Sequence, residues 1–175
     1  MYKRQEVIIP EPFYANYNGF AQASDVKVIP ITSKIEDNFA LPSIESFEKK
    51  INKRTKAILI CNPCNPTGYV YSKEEITKIA NLAKKNDLFI VVDEVYREFI
   101  YTDLKHFSIL EDKTFFDNAI LIDSTSKRYS LCGARIGFIV SKNSKFIETC
   151  MKFALARLSL SLIHISRAHE TKANL

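Results

Sequence analysis

One pattern recurs three times along the chain, in AILICNPCNPTG (residues 57–68), LFIVVDEVY (88–96) and AILIDSTSK (119–127). Each segment opens with a short apolar run of the kind that forms a buried strand, and polar residues follow at once. Helical patterns separate the runs, so the sequence predicts an α/β domain with a mainly parallel sheet. Weaker strands are predicted at Val7–Ile9, Val26–Ile29 and Ile136–Val140.

Three helices are predicted from capping signals and apolar spacing. Ser72 and Glu75 form a capping box, and that helix is expected to run to about Asn86 as a crossover between two parallel strands. The other two helices are expected to begin near Ser43 and near Ser144. The side chains expected to face inward are, for the three helices in this order, Ile76, Ile79, Ala80 and Ala83; Ile44, Phe47 and Ile51; and Phe146, Ile147, Cys150, Met151, Ala154 and Leu158.

Composition narrows the functional class. With 46% hydrophobic and 26% charged residues, the chain has enough apolar side chains for a core, which excludes an intrinsically disordered protein. No apolar run approaches the ~20 residues that span a bilayer, so no membrane partner is expected. The net charge of +5 is spread along the chain rather than clustered, which argues against nucleic-acid binding. The four cysteines follow no recognisable secretory signal, so reduced thiols and a cytoplasmic location are expected.

Polar side chains follow each of the three apolar runs. Asn62 and Asn65 follow the first run, Asp93 and Tyr96 the second, and Asp123, Ser124 and Lys127 the third. Ligands of open parallel sheets bind at the carboxyl ends of strands, so these groups are expected in one crevice. A neutral lysine can form an imine with an aldehyde, and a carboxylate can keep a pyridine nitrogen protonated. Phenol and amide donors suit a ring phenolate, and together these groups meet the demands of pyridoxal 5'-phosphate.

The order of these motifs resembles that of a known family. NPxNPTG, DEVY, and S-x-x-K with an arginine eight residues after the lysine resemble the class I/II pyridoxal-phosphate-dependent aminotransferases of fold type I, the aspartate aminotransferase family. The resemblance covers about Glu6 to Ser159. It implies the large-domain fold of that family, a three-layer sandwich with a mainly parallel sheet, here truncated at both ends. It also implies amino acid and 2-oxo acid substrates and a homodimeric parent protein.

The resemblance implies catalytic and ring-binding roles for four residues. Lys127 is similar to the lysine that joins the cofactor and moves a proton between the substrate α-carbon and the cofactor. Asp93 is similar to the partner of the pyridine nitrogen, and Tyr96 to the phenol donor at the ring oxygen. Asn65 is similar to the residue that holds that oxygen from the other side and also contacts the substrate carboxylate.

Three further residues are expected to bind the rest of the cofactor. Ser124 and Arg135 resemble the phosphate ligands of the family, the arginine supplying a bidentate fork. Tyr14, in EPFYANY, resembles the aromatic residue that stacks on the cofactor ring, with Phe13 as the alternative. No metal site is expected.

The termini predict a fragment. Residues 1–5 and 160–175 do not continue the flanking patterns and are interpreted as non-native, which leaves residues 6–159 as a partial cofactor-binding domain. Family members are longer, with an N-terminal arm, an early phosphate-binding turn and a C-terminal domain whose arginine clamps the substrate carboxylate. We therefore expect this chain to be inactive alone, poorly soluble or prone to non-specific association.

Other functions share these motifs. On the same fold, a C–S lyase or a cyclopropane-carboxylate synthase would carry every residue named above, and so would a non-catalytic regulator module that senses pyridoxal phosphate. A flavodoxin-like binding domain with accidental matches is a further alternative.

Three other features carry little weight. Cys61 and Cys64 form C-x-x-C, but Pro63 lies inside it and no second ligand pair has zinc spacing, which disfavours a redox or zinc site. None of the three histidines is a good catalytic candidate, because His106 falls in a predicted loop and His164 and His169 in the atypical tail. The four glycines match neither a dinucleotide-binding nor a P-loop motif.

Overall fold

A computed structural model of the protein describes residues 4–157, and the chain divides into two compact units between Lys142 and Asn143. In its described residues, 4–142, the first unit contains six strands and four helices. In chain order these are β1 (Gln5–Glu11), α1 (Asn16–Ala23), β2 (Val26–Thr32), α2 (Ile44–Glu48), β3 (Thr55–Cys61), α3 (Lys73–Lys85), β4 (Phe89–Asp93), β5 (Ala119–Ser124), α4 (Thr125–Arg128) and β6 (Gly137–Val140). The second unit contains α5 (Ser144–Arg157). Short 3-10 turns lie at Ile35–Asp37, Ile109–Glu111, Lys113–Phe115 and Cys132–Ala134.

The six strands form one mixed sheet in the order β2-β1-β3-β4-β5-β6. All neighbours pair in parallel except β5 and β6, which are antiparallel. The α/β class and the mainly parallel sheet are confirmed, and the three strongest predicted strands are neighbours. The direction of the last strand was not predicted: it starts at Gly137 rather than Ile136 and returns alongside β5.

The core lies on one face of the sheet, against α3. Ile58 and Ile60 of β3 and Ile90 and Val92 of β4 alternate with less buried neighbours and are at most 1% exposed. Such alternation places every second side chain on the same face. They form one cluster with the predicted inward residues of α3 and with Phe47 of α2. Burial of each of these large side chains contributes roughly 1.5–3 kcal/mol relative to leaving it in water.

The ends of α3 agree with the prediction. Ser72 is the N-cap, and its hydroxyl accepts a hydrogen bond from the Glu75 amide at 3.2 Å. Glu75 Oε2 accepts one in return from the Ser72 amide at 2.8 Å, which completes the capping box. Asn86 is the C-cap. The carboxylate of Glu75 also accepts bonds from Tyr69 Oη and the Leu41 amide, so this cap joins three segments.

The other helices depart from the prediction in part. Ser43 is the N-cap of α2, but this helix ends at Glu48, so Ile51 packs against the core from beyond it. α5 begins at Ser144 as predicted, whereas Leu158 lies outside the described residues. α1 was not predicted, because the segment NYNGFAQA has no side-chain cap and contains a glycine. The proposed non-native tail, 160–175, also lies outside the described residues, and the boundary at residue 5 stays a prediction.

The last strand is the least covered element of the sheet. Phe138, Ile139 and Val140 of β6 are between 40% and 53% exposed, and β6 forms the end of the sheet within the described residues. Apolar side chains on both faces of an edge strand favour association with another surface. In residues 4–157, no helix is long and apolar enough to cross a membrane.

Candidate functional site

A pocket of about 290 Å³ opens where the carboxyl ends of β3, β4 and β5 meet the segment after β1. The parallel pairing of these strands brings their following loops to one edge of the sheet. The pocket is lined by all seven residues selected from the sequence: Tyr14, Asn65, Asp93, Tyr96, Ser124, Lys127 and Arg135. It is also lined by Asp123, which was expected in the crevice without an assigned role, and by six residues that sequence reasoning did not select: Tyr17, Cys61, Val95, Ile122, Ser126 and Cys132.

Asp93 is the acidic group of the pocket and the last residue of β4. Its Oδ2 accepts a 2.7 Å hydrogen bond from Tyr17 Oη, and its Oδ1 accepts one from the Val95 amide at 3.1 Å. Burial raises the pKa of this carboxyl, while the two hydrogen bonds lower it and the nearby Asp123 raises it. Among the described residues, no cation contributes to the stabilisation of its charge. The Asp93 carboxyl therefore faces the pocket with two hydrogen-bond donors and no ion pair within residues 4–157.

Tyr17 is the main residue that the sequence analysis missed. It is buried in α1, and burial raises its pKa further above the ordinary value, so the phenol stays protonated and donates to Asp93. Its ring packs edge to face against Tyr14, with the two centroids 5.5 Å apart. The sequence did contain a signal for Tyr17. It lies three residues after Tyr14, a spacing that places two side chains on one side of a helical turn.

Tyr14 lies at the mouth of the pocket and is 38% exposed. Its hydroxyl accepts a 2.7 Å hydrogen bond from Asn16 Nδ2, and its ring is held by the edge contact with Tyr17. Phe13, the alternative stacking residue, is not among the residues that line the pocket and packs 6.2 Å from the Tyr17 ring. The structure therefore favours Tyr14 over Phe13 as the aromatic wall.

Lys127 projects from the short helix α4, directly after β5. The Ser124 hydroxyl caps this helix by accepting the Ser126 amide at 3.0 Å. Lys127 Nζ lies 5.4 Å from the centroid of the Tyr96 ring, over its face. The amine and the phenol therefore share one part of the pocket, because the segments that carry them follow two neighbouring strands, β5 and β4.

An ion-pair network braces α4 against the segment after β4. Arg128 Nη2 lies 2.9 Å from Asp123 Oδ2, and its Nε lies 2.9 Å from Glu98 Oε1. Arg97 Nη2 also approaches Asp123 Oδ2, at 3.5 Å, and the other Asp123 oxygen accepts the Ser124 amide at 2.7 Å. Asp123 is 8% exposed, so two guanidinium groups converge on one buried carboxylate beside the candidate lysine.

The antiparallel return of β6 brings Arg135 to the same edge as Ser124. Ser124 pairs with Gly137, and its hydroxyl donates to the Ile136 carbonyl at 3.1 Å. Arg135 is exposed, donates from Nη1 to the Cys132 carbonyl at 3.1 Å, and has a left-handed backbone with φ of 55°. Few non-glycine residues adopt this conformation, and it is enriched at functional sites. A hydroxyl and a guanidinium at one end of the pocket suit a phosphate group.

The loop after β3 places Asn65 in the pocket. The Cys64 amide donates to the Tyr69 carbonyl and the Gly68 amide to the Cys64 carbonyl, both at 2.8 Å, which closes the loop. Gly68 has φ of +73°, a conformation that favours glycine. Asn62 anchors the loop instead of lining the pocket: it is fully buried, and its Oδ1 accepts the Tyr71 amide.

The two cysteines of this loop contact different carbonyl groups. Cys61 Sγ donates to the Pro63 carbonyl at 3.1 Å and Cys64 Sγ to the Pro12 carbonyl at 3.7 Å. Burial raises the pKa of Cys61 to about 12, so this thiol is protonated at neutral pH. A protonated thiol is a poor nucleophile and a poor metal ligand.

Comparison with known proteins adds independent evidence. The sequence model of the family "Aminotransferase class I and II" matches residues 1–168. An aspartate aminotransferase of Pyrococcus abyssi is 34% identical over 164 residues, which are 94% of this chain and 42% of that protein. An aspartate aminotransferase of Pyrococcus horikoshii is 39% identical over 143 residues, 82% of this chain and 36% of that protein. The crystal structure of an aromatic aminotransferase from Pyrococcus horikoshii superimposes with a TM-score of 0.82 at 32% identity, covering 90% of this chain and 41% of that one.

The chain thus spans about two fifths of the length of these relatives. The match with solved aminotransferases confirms the fold expected from the resemblance. Because the family model covers nearly the whole sequence, the chain belongs to the class I and II aminotransferases.

Proposed function

We propose that the parent protein transfers an amino group from an amino acid to a 2-oxo acid with pyridoxal phosphate as cofactor, and that this chain is its cofactor-binding core. The observation that carries the proposal is the half-buried carboxylate of Asp93, which accepts two hydrogen bonds and has no cationic partner among the described residues. It lines the same pocket as Lys127. A protonated ring nitrogen would supply the missing positive charge.

The residues present fit this cofactor. Ser124 and Arg135 would bind its phosphate, Asp93 its ring nitrogen, and Tyr96 and Asn65 its ring oxygen. Tyr14 would cover one face of the ring. The volume of about 290 Å³ is near the lower end of small-molecule sites, which suits a small cofactor with little room for substrate. When bound, pyridoxal phosphate supplies an aldehyde that accepts the amino group and a ring that stores the electron pair of the broken C–H bond.

The chain itself supplies a base and a set of fixed donors. The Lys127 amine holds the cofactor between turnovers and takes the proton from the substrate α-carbon. Tyr17 keeps Asp93 oriented and favours its charged form. Asn65 provides an amide for the substrate carboxylate. The network around Asp123 keeps α4, and with it Lys127, in one position relative to Tyr96.

The parent protein is proposed to act as a homodimer in the cytoplasm. The four cysteines of the described residues are free, which fits a reducing compartment. The exposed apolar β6 fits a chain whose neighbours lie in other parts of the parent. We propose that the 175-residue chain alone has little or no transaminase activity, because it spans about two fifths of its relatives.

The proposal is tested by cofactor fixation. The chain is incubated with pyridoxal phosphate, reduced with borohydride and digested, and the modified peptide is identified by mass spectrometry. We expect the label on Lys127, its loss in Lys127→Ala, and its retention in the control Lys142→Ala. Labelling spread evenly over surface lysines would contradict the proposed site. Transamination by the chain at a rate typical of an intact enzyme would contradict the proposed inactivity.

A further inference from the structure

A groove of about 320 Å³ lies beside the candidate pocket and shares two of its walls, Asn65 and Tyr96. The loop after β3 forms one side of the groove, and the segment after β4 forms the other. The rings that line it belong to Pro63, Pro66, Tyr96, Phe99 and Tyr101. A cavity of about 150 Å³ with apolar walls is already large enough for a benzene molecule. The groove therefore has room for one aromatic side chain of a ligand.

The groove is uncharged. Among the described residues, no lysine, arginine, histidine or carboxylate lines it. Its polar side chains are the amide of Asn65, the phenols of Tyr96 and Tyr101, and the Cys64 thiol, which already donates to the Pro12 carbonyl. A carboxylate that entered the groove would lose water without gaining a cationic partner, which is costly. An aromatic ring would instead gain edge or stacking contacts with the rings of the walls.

Tyr96 is the wall between the candidate lysine and the groove. Lys127 Nζ lies over the Tyr96 ring, 5.4 Å from its centroid. The Phe99 ring meets the same ring at 77°, with the two centroids 6.0 Å apart, and the Phe99 amide donates to the Tyr96 carbonyl at 2.8 Å. Lys127 lines only the pocket, and Phe99 lines only the groove. The groove therefore begins one ring away from the reacting amine.

The proposed function places the substrate at the shared walls. Its amino group reacts where the Lys127 amine reacts, and its α-carbon is one bond away from that nitrogen. Asn65, which would hold the substrate carboxylate, is the other shared wall. The pocket of about 290 Å³ leaves little room once the cofactor is bound. A side chain that leaves the α-carbon between Asn65 and Tyr96 enters the groove.

We propose that this groove binds the side chain of an aromatic amino acid, with Phe99 and Tyr101 as the walls that favour an aromatic over an acidic substrate. The assignment rests on the proposed function and names the substrate class of the same site. Phe99 is 36% exposed and Tyr101 is 89% exposed, so both rings offer apolar surface that a ligand ring would cover. Neither ring lines the pocket of Lys127, so both act on specificity rather than on the reacting atoms.

The test uses three stable ligands, in which a phosphopyridoxyl group is joined by a reduced C–N bond to phenylalanine, alanine or aspartate. Calorimetric titration of the 175-residue chain measures the dissociation constant of each ligand. We expect the phenylalanine compound to bind about tenfold more tightly than the alanine compound, because its ring is removed from water. The aspartate compound should bind no more tightly than the alanine compound. An aspartate compound that binds as tightly as the phenylalanine compound would overturn the proposal.

Substitutions in the groove locate the preference. The advantage of the phenylalanine over the alanine compound should fall by about threefold in Tyr101→Ala and in Phe99→Leu, and it should persist in Tyr101→Phe, which keeps the ring. The matched control is Phe153→Ala, which removes a 65% exposed ring that lines neither cavity. An undiminished advantage in both Tyr101→Ala and Phe99→Leu would overturn the proposal and leave the groove as a surface for another segment of the parent.

The borohydride experiment separates this proposal from the proposed function. Labelling of Lys127 by pyridoxal phosphate together with equal affinities for the three compounds would overturn the aromatic subsite alone. Absence of the label and of binding by every compound would refute the proposed function and the subsite together.

Discussion

The hydroxyl of Tyr17 donates a 2.7 Å hydrogen bond to Oδ2 of Asp93, across 76 positions of sequence. This bond joins α1 to the end of β4 at the pocket. It also favours the charged form of Asp93, because this donated hydrogen bond lowers the pKa that burial raises.

Replacement of Tyr17 by Phe should weaken cofactor binding, while the Lys127 amine should still react with the cofactor aldehyde. The Asp93 pKa rises when the donor is lost, so less of the carboxylate is available to a protonated ring nitrogen. A hydrogen bond to a charged group contributes about 1.5–3 kcal/mol, which corresponds to a loss of affinity of roughly tenfold or more. Spectroscopic titration with pyridoxal phosphate measures this affinity. Tyr101→Phe, which removes the phenol oxygen of an 89% exposed tyrosine, is the control and should bind like wild type. An unchanged affinity in Tyr17→Phe would show that the bond does not tune Asp93.

Replacement of Asp123 by Asn should destabilise the first unit and misplace Lys127. Arg97 and Arg128 lose the carboxylate on which they converge, and removing one member of a buried, hydrogen-bonded ion pair costs about 1–3 kcal/mol or more. Urea unfolding measures the loss, and the rate of borohydride-trapped labelling at Lys127 measures the misplacement. The control is Glu98→Gln, an exposed partner of the same Arg128, with an expected effect below about 1 kcal/mol. Equal effects of both substitutions would argue against a brace centred on Asp123.

The stability of the chain should carry a pH dependence that belongs to Glu94. Its pKa in the folded protein, about 7, is above the ordinary value of 4.5, so the folded state holds the proton more tightly than the unfolded state. The contribution is complete below pH 4.5 and is lost as the pH rises through 7, by at most about 3 kcal/mol. Unfolding free energies of wild type and Glu94→Gln, measured between pH 4.5 and 8.5, should differ in slope in this direction. Parallel curves would contradict the protonated state of Glu94.

The capping box of α3 should contribute measurably to stability. In Ser72→Ala, the Glu75 amide loses its acceptor, and the free energy of unfolding should fall by about 1 kcal/mol. Ser43→Ala is a matched control, because Ser43 is the N-cap of α2 and makes no side-chain cap hydrogen bond. Urea denaturation compares the two variants. A loss in Ser43→Ala as large as that in Ser72→Ala would mean that serine removal, rather than the cap, causes the effect.

Much of the architecture could be predicted because its signals are local. The runs that became β3, β4 and β5 are dense in apolar residues, and the box at Ser72 and Glu75 marks α3 within a few positions. Except for Asn62, the polar residues after those runs reached one pocket because parallel neighbours end at the same edge. This required no knowledge of side-chain packing.

The missed features depend on long-range relationships. α1 lacks a side-chain cap, and its buried face rests on one residue, Tyr17, so its pattern gave little helical signal beyond the three-residue spacing of Tyr14 and Tyr17. The partners of Asp123 could not be chosen from sequence, since many cations lie within the same distance along the chain. The direction of β6 also could not be predicted from composition, because a short apolar strand can pair with its neighbour in parallel or antiparallel orientation.

That direction has a mechanical consequence for the site. Residues 125–136 leave the sheet at Ser124 and re-enter it opposite the same residue, at Gly137. The segment that carries Lys127 and Arg135 is therefore a short connection held at both ends by adjacent strands. The backbone of neither residue can move away from the site without breaking hydrogen bonds between β5 and β6. The eight-residue spacing between the lysine and the arginine therefore lies wholly within a connection whose two ends are paired with each other. Inserting residues into this connection should weaken the proposed phosphate binding, although both side chains would remain chemically unchanged.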